Sequence, residues 1–210
     1  TFGAYRLLGT FITAAVTGVP NGHLPTAMTS LSPTTFLLAT DLRDLRICTR
    51  NANSLDCGNL LANGSDVAPD GRIVEVASDG VDYYALVVHP TAIETVYEGV
   101  YKVVGGNFKA VATNLQYPEL HFEMAGAAHN WMTIAPTGKI GFMSTAAGGG
   151  HRSRLYSFDP SDTTGKNAPK VIADNFEKLR DVALDPPYVY AVDYGSGQKA
   201  DGRIFRVVVP

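Results

Sequence analysis

Apolar residues in this chain come in short runs, each closed by glycine, proline, asparagine or aspartate. Runs of that kind between turn-formers predict strands. Windows with apolar residues at i, i+3 and i+4 are short and cut by Gly or Pro. The best helical stretch, Asn175-Phe-Glu-Lys-Leu-Arg180, supports a single turn at most. Continuous runs such as Ala85-Leu-Val-Val88 suit strands buried on both faces. Arg203-Ile-Phe-Arg-Val-Val-Val209 alternates, as a half-exposed strand does.

The runs group into blocks marked by Pro33, Pro90, Pro136 and Pro186. The second block is Ala85-Leu-Val-Val-His-Pro90, then Glu94-Thr-Val-Tyr97 and Gly99-Val-Tyr-Lys-Val-Val104. The third is Trp131-Met-Thr-Ile-Ala-Pro136, then Lys139–Ser144 and Arg154–Phe158. The fourth is Asp181-Val-Ala-Leu-Asp-Pro186, then Tyr188–Asp193 and Gly202–Val207. The first, Leu31–Asp41 followed by Leu45–Cys48, fits least well because its proline precedes the apolar run. A strand-built period of about 50 residues predicts propeller blades, whereas a sandwich or barrel would turn every 8–12 residues or so throughout. The fold expected is all-β, a single β-propeller domain over residues 1–210 with four to five visible blades. Val67–Val76 reads as an outer strand or half of a fifth blade. Tyr5–Ile12 reads as a strand that closes the ring by joining the C-terminal blade, leaving no open sheet edge.

A hydrophobic fraction of 45% with 18% charged residues is enough for a sizeable core. Lys+Arg 17 against Asp+Glu 20 gives a net charge of −3, with no polybasic face for nucleic acid. No apolar run is long enough to cross a bilayer as a helix. The start at Thr1, without Met, fits a mature chain whose signal peptide has been removed. Cys48 and Cys57 are separated by mostly polar, turn-favouring residues, so neighbouring strands would bring them into a disulfide. Asn63-Gly64-Ser65 is an N-glycosylation acceptor. Together these features point to a secreted, extracellular glycoprotein.

Asp181-Val-Ala-Leu-Asp-Pro-Pro-Tyr-Val-Tyr-Ala-Val-Asp193, ending in Gly202-Arg-Ile-Phe-Arg206, resembles blades of the six-bladed calcium-dependent propellers. These are the SMP-30/gluconolactonase-like proteins, with the NHL-repeat and sorbosone dehydrogenase-like propellers as relatives. Asn21-Gly22 followed by Leu37-Leu-Ala-Thr-Asp41 is similar to the asparagine-containing blade of the fungal members. The resemblance rests on blade grammar, and the family's chains are longer, so a short or partial member is implied. The family's first-blade metal-binding glutamate has no secure counterpart here.

In such propellers the ligand site lies at one mouth of the central channel, just before the inner strands. That position gives Asn21, Asp82, His129 with Asn130, and Asp181. By resemblance, Asn130 and Asp181, and more loosely Asn21, look like metal ligands. Their oxygens suit Ca²⁺, and other divalent ions would also fit. His129 and Asp181 are the expected proton-handling residues of a metal-assisted lactone or ester hydrolase. The alternative is a non-catalytic extracellular propeller that binds a sugar or small molecule, or a self-associating structural glycoprotein. None of the five histidines (His23, His89, His121, His129, His151) has zinc-helix spacing, and no Gly-x-Ser-x-Gly elbow occurs. Asp41, Asp185 and Asp193 near strand ends are candidates for a carboxylate pair or for turn caps.

Overall fold

A computed structural model describes residues 3–4, 14–21, 23–64, 71–88, 99–113, 132–135, 138–144, 153–164, 169–177, 179–195 and 201–209. Every element among them is a strand. The first sheet is mixed and six-stranded. It contains β1 (Gly3–Ala4), β2 (Ala14–Thr17), β3 (Pro25–Ser30), β4 (Thr35–Thr40), β5 (Leu45–Arg50) and β6 (Ser54–Ala62), in spatial order β1-β2-β6-β5-β4-β3. The pair β2·β6 is parallel. The second sheet runs in order through β7 (Arg72–Ser78), β8 (Tyr83–Val88), β9 (Gly99–Val104) and β10 (Asn107–Ala112). The third holds β11 (Met132–Ile134), β12 (Gly141–Ser144), β13 (Ser153–Phe158) and β14 (Lys170–Phe176). The fourth holds β15 (Leu179–Asp185), β16 (Tyr188–Asp193) and β17 (Arg203–Val208).

The four sheets are propeller-like blades in a ring. β3 and β4 pack on β7, β7 on β11, and β11 and β12 on β15. The core accordingly lies between blades. Leu37, Ala39 and Leu45 meet Ile73, Val76, Ala85 and Val87. Tyr84, Leu86, Val100 and Val111 meet Met132, Ile134, Tyr156 and Phe158. Phe142, Leu155 and Phe176 meet Leu179, Val182, Val189 and Ala191. Successive residues of β8 belong to opposite clusters, which is why its sequence is apolar without alternation. Fully burying one such Leu or Ile side chain stabilises the fold by about 1.5–3 kcal/mol.

Three inner strands share an irregularity. The pairing of β3 with β4 skips Thr26, that of β7 with β8 skips Val74, and that of β15 with β16 skips Arg180. A bulge at the same point in three of the four blades is a structural trace of the repeat.

The second blade differs from the sequence expectation. Its inner strand is β7, which overlaps the Val67–Val76 stretch from Arg72 on, and Ala85–Val88 belongs to the second strand. Both strands are buried on two faces, so hydrophobic pattern alone does not rank them. The inner strand of the first blade, Pro-Thr-Ala-Met-Thr-Ser, escaped notice because it carries few large apolar residues. Asn175–Arg180 holds the end of β14, where Asn175 has φ 66°, and the start of β15. The expected ring-closing strand, Tyr5–Ile12, lies outside the described residues. The strands flanking it, β1 and β2, extend the first sheet beyond β6.

Cys48 on β5 and Cys57 on β6 form the expected disulfide, fully buried against Leu38 and Leu55 and covered by Val16 and Val19. Beside it, Arg46 donates from Nε and Nη2 to Asp44 Oδ2 (2.9 and 2.7 Å), and from Nη1 to the carbonyls of Gly18 (2.9 Å) and Cys57 (3.3 Å). The Thr40 hydroxyl donates to the other Asp44 oxygen. This buried pair ties the segment after β2 to the first blade.

Candidate functional site

The residue after the bulge is Glu75 in the second blade and Asp181 in the fourth. Both stand on inner strands, two blades apart, and are near enough for the Asp181 charge to act on Glu75. Burial is the main force on Glu75 and pushes its carboxyl up to about 7. The Val76 N–H, donating to Oε1 at 3.0 Å, works in the opposite direction, and the Asp181 charge adds to the rise. Asp181 itself is exposed. A carboxyl that is half protonated near neutral pH, with a solvent-facing carboxylate nearby, can exchange protons with a bound molecule.

At the entry to β3, His23 Nδ1 lies 3.0 Å from Asp41 Oδ1, and the His23 side chain is 35% exposed. The Leu24 N–H donates to the same oxygen (3.1 Å), while the Asp41 N–H donates to the Leu24 carbonyl (2.9 Å). Asp41 therefore orients an imidazole at the end of the ring where the inner strands begin.

The opposite end is built for turns. Asp79 Oδ1 accepts from the N–H groups of Asp82 (2.7 Å) and Val81 (2.9 Å), and Oδ2 accepts from the Tyr84 hydroxyl (3.1 Å). Burial opposes ionisation of Asp79, but these bonds together with the Lys102 charge hold its carboxyl below the usual range. Burial and the Asp79 carboxylate push the Tyr84 hydroxyl up. A cleft of about 130 Å³ here is lined by Ser30, Leu31, Ser78, Gly80 and Tyr83. Its two serine hydroxyls are committed to the Ser32 and Asp82 carbonyls.

Of the residues expected at the mouth, Asp181 is an exposed residue of the inner strand β15 and Asn21 sits in an exposed turn before β3. His129 and Asn130 lie outside the described residues. Asp82 is a correction: it precedes β8, a second strand, and pairs with Lys102 (2.6 Å) at the other end. Asp193 is a buried turn cap, accepting from the N–H groups of Glu177 and Gly195 (each 3.1 Å). Asn63 is exposed just after β6, and Ser65 of its acceptor triplet lies outside the described residues. Among the described residues no three His, Cys, Asp or Glu side chains come together as a metal set. Glu75 was missed from sequence; its signal was a lone carboxylate inside the apolar run Ile73-Val74-Glu75-Val76-Ala77.

No family model matches the chain, and no curated protein matches it in sequence. Solved structures do match in fold. A chain of a nidogen/laminin complex has a TM-score of 0.54 at 8% identity, the match covering 86% of this chain and 64% of that one. The computationally designed Ika4 protein has a TM-score of 0.53 at 10% identity, with 97% and 100% covered. A chain described as a putative 6-phosphogluconolactonase from Bacteroides uniformis has a TM-score of 0.47 at 11% identity, with 96% and 62% covered. The present chain thus spans less than two thirds of the first and third of these. The likeness drawn from blade grammar is upheld as a fold and not as a sequence family: the chain is a β-propeller.

Proposed function

We propose that this propeller binds a lactone or ester at the axial mouth and hydrolyses it with Glu75 and Asp181 as the proton-handling pair. The observation that carries the reading is the nearness of these two carboxyl groups, on inner strands two blades apart. In this scheme protonated Glu75 donates to the oxygen that gains charge as the carbonyl is attacked, and Asp181 takes the proton of the attacking water. The water's oxygen bonds to the carbonyl carbon, the ring or ester C–O bond breaks, and the leaving oxygen ends protonated. His23, held by Asp41, is a second acceptor at the same end.

The scheme is written with this chain's own carboxyl groups; Asn130 of the expected Ca²⁺ ligands lies outside the described residues. The disulfide is consistent with an oxidising compartment. We extend this to secretion with a glycan on Asn63, which a mass increase removed by Asn63→Gln would establish. The test of the activity is a panel of lactones and esters assayed with wild type, Glu75→Gln and Asp181→Asn. Hydrolysis reduced about 100-fold or more in each variant is expected. Turnover indifferent to both substitutions would remove the pair from the chemistry. Binding of a panel member without turnover would leave a binding propeller.

A further inference from the structure

The cleft between the first two blades is built by the repeat itself. Ser30 closes β3 and Ser78 closes β7, each four residues beyond the bulge of its inner strand, and the two strands pack on each other. Equivalent serines of neighbouring blades thus line one opening of about 130 Å³, completed by Leu31, Gly80 and Tyr83. Both rims are fixed turns. On one side Ser32 Oγ accepts from the N–H groups of Thr34 (3.2 Å) and Thr35 (3.0 Å), while the N–H groups of Leu31 and Ser32 donate to the Thr35 carbonyl (2.9 and 3.0 Å). On the other, Asp79 holds the Val81 and Asp82 N–H groups, and the Gly80 N–H donates to Ser78 Oγ (3.0 Å). Gly80 has φ 96°, and no atom lies within 4 Å of where its side chain would begin, so the rim leaves the opening clear. A preformed site of this kind loses little ordering entropy on binding.

The polar groups of the cleft are one-sided in their chemistry. Ser30 Oγ donates to the Ser32 carbonyl (2.9 Å) and Ser78 Oγ to the Asp82 carbonyl (2.8 Å). With their protons committed, the serines offer a guest oxygen lone pairs. The Tyr83 hydroxyl, without a partner among the described residues, can donate and accept. A guest must therefore bring O–H or N–H donors of its own. The rim carboxylates of Asp79 and Asp82 stand against the single Lys102 cation and disfavour an anion. Both are already engaged, Asp79 by two N–H groups and the Tyr84 hydroxyl, Asp82 by Lys102, so an ammonium guest finds no unpaired counter-charge. Leu31 and the Tyr83 ring add an apolar wall. The volume is well below the roughly 300–1,000 Å³ that encloses a drug-sized ligand, which limits the guest to a single ring.

We propose that this cleft is a binding site for one neutral pyranose ring, whose hydroxyls donate to Ser30 and Ser78 and whose C–H face lies on Tyr83. The proposal does not rest on hydrolysis: its residues lie at the end of the ring away from Glu75 and Asp181, and its test reads binding alone. That test is a titration of the isotope-labelled chain with methyl glucoside, methyl galactoside and methyl mannoside, followed by amide chemical shifts. At least one sugar should shift the amides of Ser30–Ser32 and Ser78–Tyr83 and saturate with a Kd near about 1 mM, the scale set by so small a ligand. Ser30→Leu fills the opening from an exposed position and should remove those shifts. Tyr83→Phe keeps the ring, loses the hydroxyl and should weaken binding about threefold to tenfold. Circular dichroism melts of each variant ensure that a lost shift is lost binding and not a lost fold. No saturable shift at these amides with any of the three sugars up to about 50 mM overturns the proposal, as does binding unchanged in Ser30→Leu. Tighter binding of gluconate or glucosamine than of the methyl glycosides overturns the assignment of a neutral guest.

Discussion

Glu75 carries a titration that stability measurements can read directly. Its carboxyl titrates at about 7 in the fold, against 4.5 for the ordinary side chain. Between those values the folded protein holds a proton that the unfolded chain releases. Stability therefore falls as pH rises from 4.5 to 7, and the full penalty, about 3 kcal/mol, applies above 7. Glu75→Gln keeps the shape and cannot ionise. Urea unfolding should find the variant more stable than wild type at pH 8, with the difference closing toward pH 4.5. A variant less stable at pH 8 would contradict the assignment. This position was legible in sequence as a charge within an apolar run. What could not be read was its partner, since Asp181 lies two blades away and only the stacking of the blades brings the two near each other.

Within elements, the first blade shows how far pattern reading reaches. Strands such as β4 and β8 were plain because two buried faces demand unbroken apolar runs, and β16 because its residues between the buried ones are large and apolar as well. β3 was not, since its Pro25, Met28 and Ser30 are exposed and its other three residues are only half-buried. The cysteines were readable for the opposite reason: a polar turn between two thiols leaves hairpin pairing as the simplest arrangement. The disulfide that results closes a short loop between β5 and β6, and replacing both cysteines by alanine should cost about 2–3 kcal/mol in denaturant melts. Asp44→Ala should cost about 3–5 kcal/mol, because it leaves the Arg46 guanidinium buried beside carbonyls without its counter-charge. If Asp44→Ala proved milder than the cysteine pair, the segment after β2 would have to be held by something other than Arg46.

For the whole molecule, the period of about 50 residues was enough to find blades, because each blade must bury both faces against its neighbours. Burial is nevertheless uneven among the described strands, and protection in amide hydrogen exchange should follow it. β8 lies between two core clusters, and its amides should open only with near-global unfolding. β17 has one described strand neighbour, and its Ile204 and Val208 are exposed, so its amides should exchange faster than those of β8. Equal protection in the two strands would show that the fourth blade opens only together with the rest of the molecule.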